Sequence, residues 1–215
     1  MAFTLAQITQ AVQDTLETNE PTFVANIPVF IKNTEERILK SIRLNVFRKN
    51  AAGNVTANNK FLALPINFLA PKSLSIIVDG EHFFLEQKNS DFVQTVGADP
   101  TDTDVPRYYA QYDVENFILA PTPDDNYLAE INYMYRPDSL ADGAPDGTTW
   151  LSVNAADCLL YGCLHEAAIF QKAEEDVTGN YFNRFGEALQ RLKNFGEGLE
   201  TIDDFRYGQL RLPRS

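Results

Sequence analysis

The residues of this sequence that could do chemistry are few, since it contains only two histidines and two cysteines. Cys158 and His165 are seven residues apart, so a helix would place them on one face, where a thiol–imidazole pair or a metal site is conceivable. No third ligand follows on that face at helical spacing, and a buried thiol with a histidine at a helix seam explains the same pattern. Cys158 and Cys163 would lie roughly 140° apart around a helix and cannot pair with each other. Unpaired cysteines favour a reducing compartment.

Two acidic runs are the other candidates for chemistry. Asp99, Asp102 and Asp104 resemble half of a calcium loop but lack its glycine and terminal glutamate, so a solvated loop is the simpler interpretation. The Glu-Glu-Asp run at 174–176 could supply the acid and base of a carboxylate-dependent hydrolase, or simply form a polar turn. No glycine-rich nucleotide motif, GxSxG elbow or paired CxxC is present. The sequence therefore predicts no catalytic residue, no metal and no cofactor.

Charge and hydropathy exclude further classes of protein. The 215 residues are 44% hydrophobic and carry a net charge of −12, which argues against binding nucleic acid through its phosphates. The charge is uneven, because residues 205–215 contain three arginines and no acid. No apolar run approaches the ~18 residues of a membrane span, and no basic-then-apolar signal opens the chain. We expect a globular protein without a membrane partner.

The apolar spacing predicts that the chain is organised around two consecutive helices between Trp150 and Leu199. Asn154 is the predicted N-cap of the first helix, whose first half is apolar nearly all round and therefore buried. Its expected buried residues are Leu159, Leu160, Cys163, Leu164 and Ala167. Gly179 offers a break before the second helix, whose apolar stripe comprises Tyr181, Phe185, Leu189, Leu192, Phe195 and Leu199.

Two amphipathic helices are also predicted near the N-terminus. Thr4 and Gln7 form a capping box that opens the first. The second is expected to start near Asn26, because Pro28 is tolerated only in the first turn of a helix. Its buried stripe is Ile27, Ile31, Thr34, Ile38 and Ile42, with Glu35 among the residues on the outside.

Between the helix pairs the period changes toward two, which is typical of strands. Asp79-Gly80 predicts a hairpin tip, a second hairpin joins 107–112 to 116–119, and 127–135 is a long strand. Residues 89–96 could form one or two helical turns. The tyrosines and phenylalanine at 108, 109, 112 and 117 could be core or could be exposed at an interface. This order predicts an α+β fold in which N- and C-terminal helices form an antiparallel bundle with an inserted, mainly antiparallel β block.

The expected domain organisation follows from these elements. Residues 1–44 and 150–200 form the helical bundle, 45–136 the β domain, and 137–149 a connection. An extended C-terminal arm covers 201–215, where Gly208 and Pro213 disfavour a helix.

Three stretches together resemble the head–tail adaptor (connector) proteins of tailed bacteriophages. They are FLALPINFLAPKSLSI (61–76), PRYYAQYDVENFILAPTPDDNYLAEINYMYRP (106–137) and TTWLSVNAADCLLYGCLHEAAIF (148–170). Their order and spacing, and the framing of a strand block by helix pairs, are also similar to that family. The resemblance brings no catalytic residue, since the family's motifs are structural.

The resemblance implies a homo-oligomeric ring, commonly of about twelve subunits, between the portal protein and a tail or nozzle protein. Genomic DNA would pass through its lumen without sequence-specific binding. The protein would be assembled in the host cytoplasm and reside in the virion at the head–tail interface. The alternatives are another tail-tube, nozzle or terminator subunit, or the hydrolase above. The arm is the expected docking element toward portal or a neighbouring subunit, through Phe205, Arg206, Tyr207, Leu210, Arg211, Leu212 and Arg214.

Overall fold

A computed structural model describes residues 2–42, 46–99 and 101–207, with side chains through residue 198. The chain divides into a helical unit, Met1–Asn45 with Asp138–Ser215, and a β unit, Val46–Pro137. Described elements comprise helices in the first unit and two mostly antiparallel sheets with one short helix in the second. The predicted α+β class is therefore confirmed.

The helical unit begins with α1 (Leu5–Thr15) and α2 (Pro21–Ser41). The predicted capping box is present, since Thr4 Oγ1 accepts from the Gln7 N–H and the Gln7 side chain accepts from the Thr4 N–H. The expected start of α2 near Asn26 is wrong. Pro21 occupies its first position, and Pro28 lies inside it on the exposed side, where water can reach the carbonyl that its missing N–H leaves unpaired.

A connection holds a short 3-10 helix, Leu140–Asp142, and leads to α4 (Trp150–Asn154), α5 (Ala156–Phe170) and α6 (Glu175–Tyr207). The short helix Ser90–Val96 of the β unit is α3 and confirms the predicted helical turns. Asn154 ends α4 and is not the N-cap of α5, which follows Ala155 without a side-chain cap. The chain reverses at 171–174, and Gly179 lies within α6 instead of breaking it.

The core of the helical unit is built on α5. Of the residues expected to be buried there, Leu159, Cys163, Leu164 and Ala167 are buried, whereas Leu160 is only half-buried. Helix α6 runs antiparallel to α5, because Arg191 pairs with Asp157 and Phe182 contacts His165. The α6 stripe is narrower than expected, since Phe195 is exposed.

Gly162 marks the closest approach of the helices. A Cβ added there would lie 2.2 Å from Thr34 Cγ2 of α2 and 3.0 Å from Phe185 Cε2 of α6. Both neighbouring side chains are buried, so neither can turn into solvent to make room. The absence of a side chain at Gly162 therefore allows three helices to meet at one point.

The β unit is a sandwich of two four-stranded sheets. The first has the order β1 (Arg48–Val55), β8 (Tyr127–Tyr135), β3 (Phe68–Val78), β4 (Glu81–Phe84), all antiparallel. The second has the order β2 (Phe61–Ala63), β7 (Asn116–Ala120), β6 (Tyr108–Gln111), β5 (Glu86–Gln87), with β5 parallel to β6. The predicted hairpins and long strand are confirmed. Asp79 and Gly80 both have positive φ, as a tight hairpin turn requires.

The alternation along β6 and β7 explains how the second sheet is buried on both faces. Tyr109 and Phe117 point into the core between the two sheets, with ring centroids 5.3 Å apart. Ala110 and Ile118 point the other way and pack under Val93 of α3. The first sheet has only its inner face in this core.

Candidate interaction surfaces

The cysteine and histidine of α5 are held in packing roles. Burial raises the pKa of Cys158 to about 12, so its thiol is protonated near neutral pH and is a poor nucleophile. The Nδ1 atom of His165 lies 3.4 Å from Arg37 Nη1 and 3.8 Å from Glu166 Oε1. Burial, and then the Arg37 charge, lower the pKa of His165. These environments match the packing interpretation of the sequence better than a Cys–His pair.

The acidic runs are engaged in local turns. Asp99 accepts hydrogen bonds from the N–H and hydroxyl of Thr101, and Asp104 pairs with Arg107 at 3.0 Å. The run at 174–176 is exposed at the start of α6. Within the ranges that the structure describes, no group of three or more His, Cys, Asp or Glu could hold a metal ion. Nor does any described helix have the length and apolar character needed to cross a membrane.

One buried carboxylate was not anticipated from the sequence. Glu35 is 6% exposed and accepts hydrogen bonds from the Ser139 hydroxyl and from the Leu140 N–H, at 3.0 Å for the latter. Burial raises the pKa of this group, against the lowering effect of the two hydrogen bonds. Glu35 thereby fixes the 3-10 helix to α2. A signal existed in the Asp-Ser-Leu-Ala-Asp stretch at 138–142, but a charged residue on a helix gives no reason to expect burial.

The residues that are predicted to dock through the arm have side chains outside the part of the chain that the structure describes. The backbone of Phe205, Arg206 and Tyr207 continues α6, eight residues past the expected end at Leu199, so the arm is not extended from residue 201. The side chains of these three residues lie outside the described residues, as do Leu210, Arg211, Leu212 and Arg214.

Two turns at one end of the β unit present exposed apolar side chains. Ile66 and Val114 are 89% and 88% exposed, which is unusual for large aliphatic residues. Their turns are neighbours, because the Leu64 N–H donates to the Glu115 carbonyl at 2.7 Å. Half-exposed Tyr112 packs beside Phe61 with the two rings tilted, their centroids 5.3 Å apart. Of the aromatic residues in the hairpin of β6 and β7, Tyr109 and Phe117 therefore lie in the core, whereas Tyr112 lies at the surface.

A groove opens along the side of the sandwich, between the edge strands β1 and β2. Residues 51–53 form one wall and residues 62–65 the other, with Leu74, Phe117 and Ile131 at the floor. Its volume is about 130 Å³. Ala51 and Gly53 alternate toward the core along β1, and they are too small to close the gap between the sheets. The groove could not be predicted from the sequence, since it depends on which strands lie at the edges of the sheets.

These features define an α+β protein with an inserted β sandwich that offers apolar surfaces to other molecules. The model of the SU10 adaptor protein family matches residues 3–211, and the chain therefore belongs to this family of bacteriophage head–tail adaptor proteins. The match confirms the resemblance carried by the stretches at 61–76, 106–137 and 148–170. It makes the protein a phage adaptor and a structural component of the virion. Among curated proteins, none matches the chain.

Proposed function

We propose that the protein is a non-enzymatic subunit of a closed ring between the portal and the tail, through which the genome passes. The observation that carries this proposal is the family match over residues 3–211, which spans both units of the fold. It is supported by the packing roles of Cys158 and His165 and by the exposed apolar turns of the β unit.

The charge of the chain suits a conduit for DNA. A ring of about twelve copies, each carrying −12, would have a strongly negative formal charge. Like charge on the channel wall would prevent the phosphate backbone from adhering, so that DNA can slide. We expect acids to outnumber bases on that wall. An assembled ring that retained duplex DNA at physiological salt would contradict this part of the proposal.

The C-terminal segment and the β unit have different partners in this proposal. Residues 205–215 dock on the portal or an adjacent subunit, with arginines that can grip carboxylates in pairs of hydrogen bonds. The β unit faces the tail, where the exposed turns with Ile66, Tyr112 and Val114 meet a tail or nozzle protein. Photo-cross-linking from position 112 should capture the tail protein, and capture of portal alone would reverse this orientation.

Electron microscopy of the protein mixed with portal tests the central proposal. We expect rings seated on portal, and a mass far above that of the 24.2 kDa chain. Deleting residues 205–215 should leave the helical circular dichroism nearly unchanged and abolish the assembly. A full-length chain that stays a monomer or dimer beside portal would refute the ring, and a truncated chain that assembles normally would refute the docking role of the arm.

A further inference from the structure

The groove between β1 and β2 has the features of an acceptor for one more strand. Among the described strands, β1 pairs only with β8, in an unbroken register of eight residues from Arg48 to Val55. In such an edge strand, every second residue directs its backbone N–H and C=O away from the sheet. Natural proteins commonly protect an edge with a bulge, a proline or a covering element. Strand β1 has no proline and no register shift, its two charged residues, Arg48 and Lys49, lie at one end, and the apolar groove runs beside it.

The last eight residues of the chain, 208–215, have a sequence that fits this acceptor. Leu210 and Leu212 alternate with Arg211, so in an extended conformation both leucines would point to one side and the arginine to the other. Eight extended residues span about 26 Å, the same length as the eight residues of β1. Pro213 follows the alternating residues, at a position where a missing N–H is tolerated in an edge strand.

Charge also favours this occupant. The β unit, residues 46–137, contains 12 acids and 7 bases, whereas residues 205–215 contain three arginines and no acid. Asp124 and Asp125 lie just before Tyr127, which pairs with Val55 at one end of β1. Arg48 and Lys49 lie at the opposite end of the strand. The arginines of the segment are therefore best accommodated toward Val55.

Helix α6 indicates that the segment serves a second copy of the chain. Its last described buried residue is Gly196, and the backbone continues for 11 residues to Tyr207, a distance of about 16 Å. A Cβ added at Gly198 would meet nothing within 4 Å, so the helix is open to solvent at that point. A helix whose backbone continues beyond this point is suited to carrying residues 208–215 to a neighbour.

We propose that residues 208–215 of one subunit bind in the groove between β1 and β2 of a second subunit, adding a strand to the edge of β1. Leu210 and Leu212 enter the groove over Leu62 and cover the side of the sandwich between β1 and β2. The inference rests on the proposed ring to the extent that a second copy supplies the segment. The acceptor groove itself can be tested without a ring.

A synthetic peptide of residues 205–215, with Gln209→Cys, is the probe for the acceptor. It is added to the full-length chain carrying Ala52→Cys, which lies on β1 beside the groove with its side chain on the outer face of the sheet, where residue 209 of an added strand would also point. The control is His82→Cys, which is exposed on β4 at the other edge of the same sheet. A short bismaleimide then joins neighbouring thiols. The native cysteines are buried, and burial raises the pKa of both thiols, so they compete poorly.

We expect at least ten-fold more cross-linked product with Ala52→Cys than with His82→Cys. Replacing Leu210 and Leu212 of the peptide by serine should remove the difference. The acceptor groove would be refuted by equal amounts of product at the two edges, by no product, or by a yield that the leucine replacements do not change. Each of these results would refute it even if rings form on portal.

Mixing two single variants tests whether the donor is a second copy. Full-length Ala52→Cys is combined with a longer, tagged chain carrying Gln209→Cys, with and without portal. A mixed dimer on a denaturing gel is the expected result. If only the double variant cross-links, and only within one chain, the segment binds its own subunit and the second copy is wrong. If the peptide binds but no assembly appears with portal, the proposed ring is refuted, whereas the acceptor groove is supported.

Discussion

Replacing Gly162 with alanine would test how closely α2, α5 and α6 must approach one another. The new Cβ would lie 2.2 Å from Thr34 Cγ2 and 3.0 Å from Phe185 Cε2, whereas carbon atoms in contact are about 3.5–4.0 Å apart. Thr34 and Phe185 are 1% and 3% exposed. The helices themselves must therefore separate by about 1 Å, which loosens other contacts of the core.

The expected net effect is a loss of stability. Overpacking a core typically costs about 1–3 kcal/mol, and the overlap at Thr34 places this site at the upper end. Alanine recovers up to about 1 kcal/mol through its better helix propensity. We expect Gly162→Ala to destabilise the helical unit by about 2 kcal/mol. Gly186→Ala is the matched control, because nothing lies within 4 Å of its added Cβ, and it should stabilise the same unit by about 0.5–1 kcal/mol.

The assay is urea unfolding followed by the helical circular dichroism signal, with a suppressor variant to identify the cause. Thr34→Ser removes the Cγ2 methyl that the new Cβ meets, so the double variant should be more stable than Gly162→Ala alone. A favourable coupling of about 1 kcal/mol in the double-mutant cycle is expected. Close packing at Gly162 is refuted as the cause if Gly162→Ala unfolds at the wild-type urea concentration. It is also refuted if the effects of the two substitutions on stability are simply additive.

Three further outcomes are expected. Leu159→Ala should cost about 2–5 kcal/mol in urea unfolding, and Leu160→Ala clearly less, because Leu159 is fully buried and Leu160 is not; equal losses would contradict this. Burial raises the pKa of Glu35, so the folded chain holds that proton more tightly, and stability should fall as pH rises through the window from 4.5 to the raised pKa. In Glu35→Gln, the urea midpoint should no longer fall with pH across that window. A Glu35→Gln pH profile identical to that of the wild type would exclude a contribution from Glu35. Cys158 and Cys163 should react with a thiol reagent only after denaturant is added, and fast labelling of the native chain would show that they are accessible.

Local signals in the sequence determined the elements of this fold. The Thr4–Gln7 box and the Asp79-Gly80 turn were predicted because their hydrogen bonds and dihedrals involve residues close together in the chain. The strand 127–135 was predicted with its observed bounds, since alternation of side chains is a local property. The order of three motifs along the chain was also sufficient for the family, which the match over residues 3–211 confirms.

Tertiary structure alone decided which of several similar residues are buried. Leu159 and Leu160 are equally apolar, but the position of α5 against α2 and α6 buries only the first completely. Glu35 is a charged residue on a predicted outer face, and it is buried because a segment about a hundred residues away supplies its two hydrogen-bond donors. Pro28 lies inside a helix because buried neighbours such as Ile27 and Ile31 hold both sides of it in place.

The candidate sites depend even more on distant pairing. The groove exists because β1 pairs with β8 and β2 with β7, which leaves β1 and β2 side by side at the edges of two sheets. The residues of β1 do not by themselves specify a sheet edge, because the pairing of strands depends on contacts between residues far apart in the chain. The sequence by itself therefore determined the class, the family and most elements of this protein. Its tertiary structure decided which residues are buried and where the groove lies, because both depend on contacts between residues far apart in the chain.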